Sequence, residues 1–350
     1  MKRNVIYIIL MVLFGVIVTF EFKSMVKPNS HNAFDRRFIH SKMIIKDVVG
    51  FPDKQVSFAG KLDTDIKLNI HATQFTLFKL DYSLNNLDTL IIKFPSLFNK
   101  KVTIFKDLLG SNIYYSNSIG DFFIFDGNTS VSYKVKGVSI DKFQAISPNT
   151  IIARALHNFD KQSNRSLVKL KISNKVVTEN EYILPKNING FFTNDGFLNY
   201  DKQNALILYL YSYRGEFLCL DTNLRLLYKA KTIDTVRTAQ IKTGFLTSRG
   251  KNGELRTLIT PTSPPNLINV CMTTNRDKIY IRSKLKADNE SDTNFEQNNV
   301  VDVYDIKQGG YLYSFYIPKY KHNRIREFQI NGKNLVAIYK DYLVTYSFVE

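Results

Sequence analysis

From about residue 43 to the C-terminus, short apolar runs alternate with polar positions and are separated by Asn, Asp, Gly and Ser. A period of two bounded by turn formers predicts β-strands, and almost no stretch shows helical periodicity. The N-terminus differs. After Lys2 and Arg3, residues 5–20 read VIYIILMVLFGVIVTF, apolar on every face and free of charge until Glu21. As a helix they span about 24 Å, slightly under the roughly 30 Å hydrocarbon core of a bilayer. Phe22 and a snorkelling Lys23 close the gap. No small-residue cleavage pattern follows and no cysteine offers a lipid attachment point, so residues 1–23 are expected to be an uncleaved transmembrane signal anchor. Residues 24–42 are expected to be a linker, and the body an exported, extracytoplasmic domain on the periplasmic side of a bacterial membrane.

The strand runs repeat. Aligning those that end in a small polar residue gives LFKLD (77–81), FFIFD (122–126), KLKIS (169–173), FLCLD (217–221), VDVYD (301–305) and LVTYS (343–347). Their last residues are separated by 45, 47, 48, 84 and 42 positions. A period of about 40–50 residues in short strands marks the blade of a β-propeller. Six units are visible over residues 43–350. The long interval contains residues 236–265, which are thinly apolar and too short for four paired strands, so they are expected to form an inserted loop. The last unit ends at Glu350 one strand short, and Met43 to Val48 is the candidate to complete it. The final Asp or Ser of each run reads as turn chemistry, because these side chains bond their own backbone.

Three pieces, VSFAGKL (56–62), SPPNLINV (263–270) and VVDVYDIKQGGYLYSFYIP (300–318), resemble uncharacterised membrane- or lipid-anchored bacterial proteins with a six-bladed, TolB-like β-propeller. The resemblance covers nearly the whole exported part and implies an all-β, six-bladed propeller behind one N-terminal transmembrane helix. Its motifs are structural and carry over no catalytic residue.

Composition adds a charge question. The chain of 350 residues has 48 Lys+Arg against 31 Asp+Glu, a net charge of +17, with 20 Tyr, 26 Phe and no Trp. Signatures of serine hydrolases, zinc proteases and nucleotide-binding loops are absent. Five histidines are scattered, so no metal site and no cofactor is expected. Cys219 and Cys271 lie in apolar segments and read as two buried thiols, not a disulfide. The stretch Asp288 to Asp292 is acidic like a calcium loop, but Thr293 and Asn299 stand where Gly and Glu are needed, so a solvated loop is expected.

In a propeller, loops between second and third strands and those between blades open on one face. That face is expected to collect Arg237, Arg249, Lys251, Arg256, Lys284, Lys286, Lys319, Lys321, Arg324 and Arg326, a surface suited to a protein or other anionic partner. Nucleic acid is not expected beside a membrane anchor. Two functional readings stay open: a binding or scaffold module without catalysis, and a propeller-type hydrolase or lyase with an axial polar or metal site drawn from Arg154, His157, Asp195 and Glu327.

Overall fold

The computed structural model describes residues 32–73, 75–94, 98, 102–135, 138–157, 165–185, 190–249 and 255–349. Among these, the strands form six four-stranded antiparallel sheets and one separate hairpin. Blade one holds β2 (Val56–Phe58), β3 (Ile66–Ile70), β4 (Thr76–Leu80) and β5 (Leu87–Ile91). Blade two holds β6 (Ile104–Leu109), β7 (Asn112–Asn117), β8 (Asp121–Phe125) and β9 (Ser130–Lys134), and blade three β10 (Val138–Ser147), β11 (Thr150–His157), β12 (Arg165–Ile172) and β13 (Val176–Ile183). Blade four is β14 (Gly196–Asp201), β15 (Leu206–Tyr211), β16 (Glu216–Asp221) and β17 (Leu226–Lys231). The hairpin, β18 (Thr243–Arg249) and β19 (Leu255–Pro261), precedes blade five, β20 (Asn269–Asn275), β21 (Lys278–Ser283), β22 (Asn298–Asp305) and β23 (Tyr311–Pro318). Blade six is β24 (Glu327–Asn331), β25 (Asn334–Ile338), β26 (Tyr342–Val349) and, outermost, β1 (Lys42–Gly50).

Each recurring run is the third strand of its blade. The second and third strands are apolar on both faces because a neighbouring blade covers each side: β15 (LILYLY) is almost wholly buried, whereas the fourth strand β5 is exposed along its length. Successive side chains therefore enter opposite seams. Tyr115 and Phe123 pack between blades one and two, and their neighbours Tyr114 and Phe122 between blades two and three. Four more clusters fill the remaining seams, the last joining Val336 and Leu343 of blade six to Ile66 and Leu68 of blade one. Six seams with six cores close the ring.

Closure uses the start of the chain. Met43 to Val48 lies within β1, which pairs antiparallel with β26 from Lys42 opposite Val349 to Gly50 opposite Tyr342, with a bulge at Lys46. Part of the segment ahead of β1 is docked as well. Arg36 is buried and pairs with Glu290 (2.5 Å) and Asp302 (2.7 Å), and its Nη1 donates to the Leu285 carbonyl. The Asp288 carboxylate accepts from the backbone N–H groups of Asn32 and Ala33, and Phe38 stacks on Tyr316. The acidic stretch that reads as a solvated loop thus receives the N-terminal segment, and Glu290 is buried for that purpose.

One further element departs from the sequence expectation. Residues 236–265 hold a hairpin in place of a plain loop, with cross-strand pairs from Thr243 opposite Pro261 to Arg249 opposite Leu255. The segment reads as thinly apolar because the hairpin pairs with no blade. The fourth strand of blade four begins at Leu226, because Leu224 takes a left-handed turn conformation (φ 61°). That turn is built as expected: Asp221 accepts from the N–H groups of Asn223 and Arg225, and Asp126 does the same for Asn128 and Thr129. The Thr129 backbone N–H and hydroxyl hold the Asp126 carboxyl down at about 2. The anchor expected over residues 1–23 lies outside the described residues, and no helix among the described residues is long and apolar enough to cross a membrane.

Candidate functional site

The innermost strands of the six blades surround a channel along the ring axis. Its wider part, about 730 Å3, lies toward the long-loop face, and a second part of about 500 Å3 lies toward the opposite face. Lys61, Asp107, Gln144, Thr273 and Gln329 line both and form a waist. The waist is where polar side chains clip one blade to the next. Asp107 accepts from the Ala145 N–H (2.7 Å), Gln144 from the Tyr200 N–H, and Gln329 from the Leu62 N–H (2.8 Å). Innermost strands of neighbouring blades are too far apart to share a ladder, so side chains satisfy the polar backbone there.

The wide part is rich in donors. Lys106, Lys142, Arg282, Arg326 and His71 line it from five different blades. Burial lowers the Lys106 ammonium to about 7, and its neighbours are the Tyr115 ring (5.2 Å) and the Thr76 carbonyl (3.4 Å), with no ion pair to a carboxylate among the described residues. Burial and then Arg154 lower Lys142 to about 8, with its Nζ donating to the Gly196 carbonyl (2.7 Å). Lys61 is lowered to about 8 by burial, against the pull of Asp201 and Asp107, and donates to Asn199. The two carboxyls in the same wall move the other way. Burial pushes Asp107 up to about 7 and raises Glu327, which accepts from the Phe58 N–H (3.1 Å). Two buried donors in this wall, the Tyr115 hydroxyl and Arg282 Nε, have no hydrogen-bond partner among the described residues. The wall thus holds more cationic groups than carboxyls, and two of its buried donors have no acceptor among the described residues.

The described basic residues picked out in the sequence lie in the segments between β17 and β20, between β21 and β22 and between β23 and β24. Of the nine that are described, Arg326 alone lines the cavity. Lys319 and Arg324 sit 3.6 and 3.1 Å from Glu296, on a short helix (Asp292–Gln297), and Lys286 sits 2.5 Å from Asp292. Lys321 lies 4.5 Å from the Tyr342 ring centre, and Arg237 donates to the Gly215 carbonyl (2.9 Å). Lys284 is exposed in the β21–β22 loop, and Arg249 is exposed on the hairpin where Arg256 pairs with Ser248. Lys251 lies outside the described residues.

The four axial candidates also part company. Glu327 lines the channel, whereas Arg154 makes a bidentate pair with Asp141 (2.7 Å for each bond) and reaches Asp195 at 2.5 Å and the Tyr209 hydroxyl at 3.0 Å. Burial pushes the Asp195 carboxyl up, but Arg154, Lys142 and Arg165 together hold it below the usual range. His157 is the last residue of β11, in register with Val138. Both cysteines are buried free thiols, pushed up by burial to about 11 (Cys219) and about 12 (Cys271). No group of three or more His, Cys, Asp or Glu fit to hold a metal ion occurs among the described residues.

No protein-family model and no curated protein matches the chain. Among solved structures it is similar to a member of the DUF4221 family from Bacteroides vulgatus, with a TM-score of 0.55 and 10% identity, covering 88% of this chain and 98% of that one. It is also similar to BamB from Moraxella catarrhalis (TM-score 0.41, 10% identity, 90% and 100% covered) and to the Pan2 WD40 domain of Neurospora crassa (0.46, 11%, 89% and 97%). The DUF4221 likeness supports the fold alone. Fold, seams and closure define the class: the chain is a six-bladed β-propeller.

Proposed function

We propose that the protein is a membrane-anchored, extracytoplasmic binding module, and that the anion it binds enters the wide part of the axial channel. The observation that carries this reading is the convergence of Lys61, Lys106, Lys142, Arg282 and Arg326 on one cavity that holds two carboxyls, Asp107 and Glu327, with the Tyr115 hydroxyl and Arg282 Nε left without an acceptor among the described residues. An anionic group from a small carboxylate or from a partner's side chain would supply those acceptors and, in a low-dielectric wall, bind more tightly than on the open surface. The loop-face cations contribute a field around the mouth, but several already sit beside Glu296 and Asp292. The residues of the enzymatic alternative do not converge on the channel, so no specific geometry favours it.

Calorimetric titration with inorganic phosphate, succinate and glucuronate tests the placement. Lys106→Met combined with Arg326→Gln is expected to weaken binding at least about tenfold, as loss of one or two charge-assisted hydrogen bonds does. Lys319→Gln combined with Lys321→Gln is expected to leave it within about twofold. Equal affinities for the channel variant and the unaltered protein, or loss only in the loop-face variant, would overturn the channel placement.

A further inference from the structure

The β18–β19 hairpin leaves apolar side chains in water. Phe245 is 79% exposed, the most of any large apolar residue described, and Leu255 and Leu246 are 69% and 54% exposed. A lone two-stranded hairpin is marginally stable in water, and this one pairs with no blade, so the exposed apolar residues call for a cover. Its surroundings are cationic. Residues 236–265 carry Arg237, Lys242, Arg249, Lys251 and Arg256 against the single acid Glu254.

The position of the hairpin says what covers it. Its stem leaves the ring at Thr235, whose hydroxyl donates to the carbonyl of Asn32 (2.6 Å), the first described residue of the chain. Asn32 is held from the other side by Asp288 in the β21–β22 loop (2.7 Å), so chain entry and hairpin share the long-loop face. Eleven residues (21–31) separate Asn32 from the apolar stretch that ends at residue 20, a reach of at most about 36–40 Å. A hairpin with seven residues in each strand spans about 23 Å, so both can meet one bilayer surface.

We infer that the hairpin is a second membrane contact: Phe245 and Leu255, which share one face of the hairpin with Arg249, enter the headgroup region of an anionic bilayer, and Lys242 and Arg249 pair with lipid phosphates. The aromatic-plus-basic combination is the one that favours the interface. This rests on the membrane anchoring proposed above. It orients the ring, with its channel mouth opening on the space between ring and bilayer.

The chain contains no tryptophan, so Phe245→Trp gives a single-site reporter. The full-length protein would be reconstituted into vesicles of phosphatidylcholine and phosphatidylglycerol. Leu87→Trp, at an exposed site on the outermost strand of blade one, serves as the control. The expected result is a blue-shifted emission from the Phe245→Trp protein that brominated lipids quench, with the Leu87→Trp protein unshifted and unquenched. Adding Lys242→Glu and Arg249→Glu to the Phe245→Trp protein should remove most of that quenching. If the protein floats with the vesicles yet the two reporters behave alike, the hairpin contact is wrong while the anchor stands. If the protein does not float with vesicles at all, the anchor fails and the hairpin proposal with it.

Discussion

Lys106 and Asp107 are chain neighbours on the innermost strand of blade two, and burial drives both toward neutrality from opposite sides. For Asp107 the folded state holds the proton at about 7, above the unfolded value. The carboxyl is therefore tolerated fully at pH below about 4, and its contribution to stability is lost as the pH rises through about 7. Asp107→Asn keeps an acceptor for the Ala145 N–H, so its melting temperature relative to the unaltered protein is expected to rise between pH 4 and pH 8. Asp107→Ala leaves that N–H unpaired and is expected to cost about 1–3 kcal/mol at either pH, measured by denaturant unfolding. A flat difference for the Asn form would show that Asp107 is ionised in the fold at no cost. Little of this was legible beforehand. Loop position drew attention to Lys319 and Arg324, which turn out to have acidic partners, whereas Lys106 and Lys142 stand inside strands where charge reads as the solvated side of a sheet. The missing piece of physics is that an innermost blade strand borders a channel, so that charges on it face a cavity and not bulk solvent.

At the scale of elements, the segment ahead of β1 is bound to blade five through Arg36. Burial opposes its charge, but Asp302 and Glu290 hold the guanidinium more firmly protonated than usual. Removing it leaves two carboxylates buried in blade five without a counter-ion. Arg36→Ala is accordingly expected to cost about 3–5 kcal/mol in urea unfolding. A loss below about 1 kcal/mol would mean that the segment is not seated in solution. The blades themselves could be read from sequence because each third strand is covered on both sides and ends in a turn-forming Asp or Ser, as Asp221 and Asp126 show. Arg36 and its partners could not, since a contact between positions 36 and 302 leaves no local pattern. The hairpin escaped for a related reason: its strands satisfy one another and owe nothing to an apolar face.

Across the whole molecule, the chain carries a net charge of +17, and the ring is closed by six apolar seams around an axial channel. There the seams leave a cavity whose lysines have lowered affinities for protons and whose carboxyls have raised ones. A bound anion reverses the first and reinforces the second, so every titratable group in that wall responds by holding its proton more firmly. Lys61, Lys106, Lys142, His71, Asp107, Glu327 and Cys271 are the groups concerned. The most direct measurement is calorimetry of the best-bound of the three probe anions at pH 8, in Tris and again in MOPS, whose ionisation enthalpies differ. The axial-anion account predicts net uptake of protons on binding, abolished by the Lys106→Met, Arg326→Gln pair. Binding heats that are the same in both buffers, or a net release of protons, would contradict it.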